Sequence, residues 1–221
     1  TDSRYKNADG HRDCEEGWKT EKMSDGVTYK HRLEPRYGTN RGTGATGFQS
    51  WNVGHERWFR SSFYLPSSEG NFAGWNTGPY SSKKVMIMQI MAANPSTTHE
   101  VAFLLGAGPS LTVEIIYSLE ATNGTEVPER LGTFPLKTNA WNDIVYVHRP
   151  HWQTPAQNPT GYGRLKIWLN CQDWSNCNPV LDYKGPSTIR HMADRYWKGG
   201  LYEMHLPQYN RQIAMYVDSY K

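Results

Sequence analysis

Three short stretches of the chain carry side chains whose types and spacing could do chemistry. The first is His31-Arg32-Leu33-Glu34-Pro35-Arg36. Alternate residues of an extended strand share a face, so Arg32, Glu34 and Arg36 would form one charged row. Such a row cannot face an apolar core without a prohibitive desolvation cost. It faces either solvent, as a ladder of surface ion pairs, or a polar groove. Pro35 argues against a regular central strand here. The second stretch is Lys84-Val85-Met86-Ile87-Met88-Gln89-Ile90-Met91, an apolar run with one interior amide, Gln89. A buried amide needs partners, which are either neighbouring protein groups or a ligand. The third is Tyr196-Trp197-Lys198-Gly199-Gly200-Leu201-Tyr202-Glu203. In a strand, Tyr196, Lys198, Gly200 and Tyr202 share a face. The missing side chain at Gly200 marks a bulge between packing tyrosines or leaves room for a ligand to approach the backbone.

The eight histidines are His11, His31, His55, His99, His148, His151, His191 and His205. His55, just ahead of a strand, and His148 and His151, in Val-His-Arg-Pro-His-Trp, stand where a groove could use them. Several reaction classes are disfavoured by absence. The chain has no Gly-x-Ser-x-Gly elbow, phosphate loop or His-Glu-x-x-His helix. Hydrolysis on a β-sandwich by a carboxylate pair needs two acids close together on one strand face. Glu114 and Glu120 stand alone.

The elements that must position these residues read as strands. Short runs rich in Val, Ile, Tyr, Phe and Trp recur between Gly, Pro and Asn clusters, and no sustained helical period appears. The expected strands are Val27–Leu33, Glu56–Tyr64, Lys84–Met91, Glu100–Leu105, Thr112–Ser118, Trp141–His148, Gly163–Leu169, Trp197–His205 and Gln212–Tyr220. Loops are marked at 38–47, 66–81, 94–98 and 154–161. No repeat or low-complexity linker divides the 221 residues, so one domain over residues 1–221 is expected. The fold class is all-β, an antiparallel two-sheet sandwich of jelly-roll type with a concave groove. The 24 Lys and Arg against 21 Asp and Glu leave a net charge of only +3, which does not point to nucleic acid. No stretch approaches the length of a membrane span. A monomer is the default expectation. The aromatic residues (9 Trp, 14 Tyr and 6 Phe) suit strand cores, and also suit stacking against the flat faces of sugars.

Cysteine usage points to a secreted protein. Cys171 and Cys177 bracket a hydrophilic run of turn formers that can close a short disulfide loop, leaving Cys14 over. Three cysteines without a Cys-x-x-Cys pair do not make a zinc framework. Asn123-Gly124-Thr125 is a glycosylation sequon, and Thr1 reads as the start of a mature chain.

Taken together, the three stretches resemble the polysaccharide lyases of β-jelly-roll type. Arg32-Leu33-Glu34-Pro35-Arg36 is similar to the Arg-Ser/Thr-Glu-x-Arg strand of the alginate lyases of this fold. Gln89-Ile90-Met91 resembles their Gln-Ile/Val-His strand. Tyr196-Trp197-Lys198-Gly199-Gly200-Leu201-Tyr202 is similar to their Tyr-Phe-Lys-x-Gly-x-Tyr strand. Order and spacing agree from about residue 30 onward. Met91 replaces the usual histidine, and the glutamine that follows the last tyrosine motif is absent. A second layer resembles the glucuronan lyase and heparin-lyase-like branch. It comprises His55-Glu56-Arg57-Trp58-Phe59-Arg60-Ser61-Ser62-Phe63-Tyr64-Leu65-Pro66, the Trp141–Trp152 stretch, Lys166-Ile167-Trp168-Leu169-Asn170, Gly200-Leu201-Tyr202 and Tyr216-Val217-Asp218.

The resemblance implies a secreted enzyme that cleaves a uronic-acid polymer, above all a β-1,4-glucuronan, by β-elimination. In glucuronan lyases another strand supplies the missing histidine, and His55 is the best match for it. The implied catalytic set is Tyr202, Gln89, His55 and Arg32. Gln89, assisted by Arg32 and His55, would neutralise the substrate carboxylate, and Tyr202 would transfer the C5 proton. A free tyrosine titrates near pH ~10, so nearby Lys198, Arg32 or Arg36 must favour its phenolate. Expected substrate contacts are Lys198, Tyr196, Arg36, Glu34, Arg60, Trp58 and His148. Trp141, Trp152 and Trp197 are further stacking candidates, although Trp197 has core parity. One structural Ca²⁺ is implied, with Asp218 as the position to name, and no organic cofactor. Competing readings are a lectin-like jelly roll without catalysis, an alginate lyase, and a glycoside hydrolase.

Overall fold

The structure is a computed structural model that describes residues 19–22, 29–33, 36–37, 51–65, 85–92, 99–106, 110–118, 125–171, 176–189, 195–206 and 216–220. Its strands are β1 (Lys19–Lys22), β2 (Tyr29–Leu33), β3 (Arg36–Tyr37), β4 (Arg57–Tyr64), β5 (Val85–Ala92), β6 (His99–Gly106), β7 (Ser110–Ser118), β8 (Glu126–Pro135), β9 (Trp141–Arg149), β10 (Arg164–Leu169), β11 (Leu181–Lys184), β12 (Arg195–Leu206) and β13 (Tyr216–Tyr220). No helix is present among the described residues, and so none long and apolar enough to cross a membrane. An eight-stranded sheet runs β1-β2-β12-β5-β6-β7-β8, with β3 also paired to β12, and a five-stranded sheet runs β11-β10-β9-β4-β13. Both are antiparallel, which makes the all-β jelly-roll sandwich expected from the sequence.

Alternation builds the core. In β7, Leu111, Val113 and Ile115 point inward while Thr112 and Glu114 take the other face. In β10, Leu165 and Ile167 enter the core while Lys166 and Trp168 face out. Ile87, Met88, Ile90, Phe103, Phe63 and Tyr146 join the same cluster, so the core lies between the two sheets. Trp197 belongs to it, as its parity predicted.

Four strands were not anticipated: β1, β3, β8 and β11. β8 is instructive. Its sequence, Glu-Val-Pro-Glu-Arg-Leu-Gly-Thr-Phe-Pro, contains two prolines and three charges. These argue against a central strand but suit the sheet edge where β8 lies. The expected strand Val27–Leu33 ends where β2 does, at Leu33, and a separate short strand, β3, follows Pro35 at Arg36–Tyr37.

One end of the sandwich is closed by a buried polar cluster. Arg195, the first residue of β12, donates from Nε to Glu100 Oε2 at 2.9 Å and from Nη2 to Glu100 Oε1 at 3.2 Å. Glu100 Oε1 also accepts from Thr188 and from the Ile189 amide. His148 is 0% exposed there, with Nε2 placed to donate to the Ser187 carbonyl at 3.1 Å. Burial pushes its pKa from 6.5 down to about 4; Glu100 and the Ser187 carbonyl pull upward, and Arg195 adds to the depression. Between these values the unfolded chain binds the proton that the folded chain refuses. Stability is therefore full above pH 6.5 and falls as pH drops toward 4. The loss from this group should reach about 3 kcal/mol. Urea midpoints measured from pH 7 to 4 should show the slope, and His148→Gln should flatten it.

Candidate active site

The central strands of the eight-stranded sheet bring the sequence-predicted residues into register. Lys198 stands opposite Arg36 on β3 and opposite Gln89 on β5. Gln89 pairs in turn with Ala102 on β6, and Ala102 with Glu114 on β7. A second row runs parallel to the first: Arg32 on β2 opposite Tyr202, Tyr202 opposite Met86, and Met86 opposite Leu104. Three segments far apart in sequence thus converge on one patch.

Two irregularities make this convergence work. Simple alternation would put Met86 and Gln89, three residues apart, on opposite faces. A bulge between Met86 and Met88, where Met88 stands opposite Phe103, turns both Ile87 and Met88 into the core. Met86 then clusters with Ala102 and Leu104 on the far side of the sheet. A compensating shift between Gly199 and Tyr202 on β12 keeps Tyr202 opposite Met86. The Gly200 stretch is therefore a bulge, as one sequence reading held, and that bulge sets the register of the tyrosine.

Gln89 is 4% exposed and Lys198 9% exposed. Such burial strengthens every hydrogen bond and charge interaction these groups make. Lys198 Nζ lies 5.8 Å from the Tyr196 ring centroid, and the Tyr196 hydroxyl donates to Met91 Sδ at 3.4 Å. A primary amide beside an ammonium group can bind a carboxylate and neutralise it. Arg32 and Tyr202 occupy the neighbouring row.

The structure adds a residue that sequence reasoning passed over. His99, at the start of β6, stands opposite Met91, two residues beyond Gln89 on β5. A register shift after Ile90 places it there. Burial pushes its pKa below 6.5, with Glu114 pulling the other way, so the imidazole is neutral at pH 7. Its signal in the sequence was weak, because His99 follows a Pro-Ser-Thr-Thr loop and its pairing depends on an irregularity.

Other expected site residues lie elsewhere. His55 is exposed on the turn leading into β4, in the five-stranded sheet. His148, expected as a substrate contact, is corrected: it is sealed between the sheets, where no polymer can reach it. Trp58 and Arg60 are corrected too. Phe59 on β4 packs toward the core, so its neighbours Trp58 and Arg60 project from the outer face of the five-stranded sheet. Trp152 stacks on His151 with centroids 4.3 Å apart. Glu34 and Cys14 lie outside the described residues. The Cys171–Cys177 disulfide is present as expected. Asp218 lies in β13, and among the described residues no group of three or more His, Cys, Asp or Glu could hold a metal ion.

A family model described as polysaccharide lyase matches residues 8–221. No curated protein matches the sequence. Among solved structures, the chain is similar to the endo-β-1,4-glucuronan lyase of the fungus Trichoderma reesei. Identity is 15%, 86% of this chain and 81% of that chain are covered, and the TM-score is 0.48. It is similar to an alginate lyase of Pseudomonas aeruginosa at 12% identity, covering 95% of this chain and 87% of that one, with a TM-score of 0.49. An alginate lyase of Klebsiella pneumoniae shares 11% identity over 96% of this chain and 82% of that one, with a TM-score of 0.40.

Proposed function

The chain belongs to the polysaccharide lyase family, and from that membership we propose that it is a secreted enzyme cleaving a uronic-acid polymer, in the first place a β-1,4-glucuronan, by β-elimination. The observation that carries this reading is the register of Arg36, Lys198 and Gln89 beside that of Arg32 and Tyr202. Elimination removes the proton at C5, next to the sugar carboxylate, and expels the oxygen on C4. That proton is too weakly acidic while the carboxylate keeps its charge. Gln89 and Lys198 bind the carboxylate and stabilise the enolate-like charge that develops on it. Tyr202, as phenolate, takes the C5 proton, the C5–H electron pair forms the C4–C5 double bond as the C4–O bond breaks, and Tyr202 then gives that proton to the leaving oxygen and returns to phenolate. The Cys171–Cys177 disulfide agrees with an oxidising, extracellular compartment. The glucuronan preference rests on the sequence stretches shared with that branch.

The deciding assay uses the product itself. A C4–C5 double bond conjugated with the carboxylate absorbs in the ultraviolet. Glucuronan, alginate, heparin and hyaluronan should be offered in parallel, and absorbance should rise with glucuronan. Reducing ends without the chromophore would mean hydrolysis, binding without either would mean a lectin, and a rise with alginate alone would reassign the substrate.

His99 takes the place that Met91 leaves vacant for a histidine, as a neutral imidazole beside the bound carboxylate. His99→Ala should lower kcat about a hundredfold with little change in KM, and His99→Gln should recover part of the loss. Activity should also show an acid limb below pH 6.5, where the imidazole takes a proton. Unchanged kcat in His99→Ala would remove it from the mechanism.

A further inference from the structure

We propose that the outer face of the five-stranded sheet is a second, non-catalytic binding site for an anionic polysaccharide chain. Along β4, Trp58, Arg60, Ser62 and Tyr64 alternate with the core residues Phe59 and Phe63. Their partners on β9 are Val147, Val145, Asp143 and Trp141, which makes one strip across two strands. Its two ends carry the large aromatic residues most exposed among the described residues: Trp58 at 48% and Trp141 at 46%. Trp58 and Tyr64, opposite Trp141, are six residues apart on β4, about 20 Å along a strand. That span accommodates a run of several sugar rings.

The platform at Trp58 is built. Its indole stacks on Trp168, with centroids 5.5 Å apart and planes 21° from parallel, and its Nε1 donates to Glu56 Oε1 at 3.1 Å. Trp168 is buried against Val145 and Val147, and Cys171 and Cys177 pack on the same cluster. Trp168 Nε1 donates to the Cys177 carbonyl at 3.3 Å, and Lys166 Nζ lies 4.8 Å from its ring centroid. At the other end, Trp141 rests edge-on against Tyr64 with centroids 5.8 Å apart. Aromatic faces held this firmly lose little freedom on binding. Trp58 and Trp141 each leave apolar indole surface exposed on the sheet face. The C–H face of a pyranose ring fits it.

Charge selects the kind of chain. Glu56 lies 3.9 Å from Arg164, and Asp182 lies 3.6 Å from Arg164 and 3.9 Å from Lys166. Asp143 accepts from the Ser62 hydroxyl. The acids of this face are thus engaged within it. Arg60 is exposed, lies between the two aromatic ends and has no ion-pair partner among the described residues. A guanidinium in that position matches the carboxylate of a uronic-acid unit in a two-pronged geometry. The identification of the chain as the enzyme's own substrate class rests on the proposed function.

The test is electrophoresis of the native protein through gels containing dissolved glucuronan or alginate, in a Tyr202→Phe background so that the polymer survives. The parent should be retarded. Trp58→Ala combined with Trp141→Ala should weaken retardation about tenfold in apparent Kd. Arg60→Glu, which leaves both tryptophans and their packing in place, should do the same, so the result stands even where the double variant folds poorly. Gels containing a neutral glucan should not retard any of them. Equal retardation of parent and variants would overturn the proposal, as would equal retardation by the neutral glucan. A dimer in sedimentation that Trp58→Ala dissolves would also overturn it, assigning the face to a second copy. If the wild-type chain produces no conjugated double bond from any polymer while its retardation still depends on Arg60, the lyase assignment fails and the outer site stands.

Discussion

Tyr202→Phe should bind polymer as tightly as the parent and turn it over at least about a thousandfold more slowly. The substitution removes one oxygen atom. The backbone pairing of position 202 with Arg32 and Met86, which holds β12 in register, does not depend on that oxygen. Neither the proposed carboxylate contacts of Lys198 and Gln89 nor the outer face uses that oxygen, so binding should survive. Turnover does not, because no other group in the row of Arg32, Tyr202 and Met86 can carry a proton at neutral pH. Initial rates of ultraviolet absorbance measure the first effect, and electrophoretic retardation measures the second. Gln89→Ala provides the contrast: it should also lower kcat more than it raises KM, because the carboxylate is held most strongly as charge develops on it. A Tyr202→Phe enzyme with near-parental kcat would sink the assignment, and the proton would then have to travel through His99 or Lys198.

The pattern of sheets and the three central segments were legible because they rest on local regularities. Alternation in β7 and β10 separated core from surface, and the apolar run of β5 marked a central strand. Trp197 went to the core on parity alone. What failed to show was everything that depends on a departure from regularity or on the partner strand. The bulge at Ile87 and Met88 decides which face Gln89 shares with Met86, and only the pairing with Phe103 reveals it. The shift after Ile90 decides that His99 faces Met91. Trp58 and Arg60 were assigned to the groove from the resemblance carried by their stretch, which does not say which sheet that strand joins. Composition cannot say which of two sheets a strand joins or which way it faces. His148 was misread for a related reason. A histidine inside a sandwich is indistinguishable in sequence from one in a groove until the buried partners Glu100, Arg195 and Ser187 are placed around it.

Glu100→Ala should destabilise the fold by about 3–5 kcal/mol, because it strands the Arg195 guanidinium in a site with no access to water. For a chain of this length that corresponds to a drop in Tm on the order of 10 °C. The cost is the removal of one partner and does not measure the worth of the pair, which the double variant Glu100→Leu, Arg195→Met separates. With both charges gone, no buried ion is left uncompensated, and stability should recover most of the loss. Thr188 Oγ1 and the Ile189 amide would then lose an acceptor, so recovery should stop short of the parent. The pair also touches function. Arg195 opens β12 three residues before Lys198, and its backbone pairs with Ala92 and bridges to Trp51. A stable but catalytically slower double variant would mean that the ion pair serves to fix the register of the strand carrying Lys198 and Tyr202. A double variant no more stable than Glu100→Ala would mean instead that the cluster's hydrogen bonds to residues 188 and 189, and not the opposite charges, hold that end of the sandwich shut.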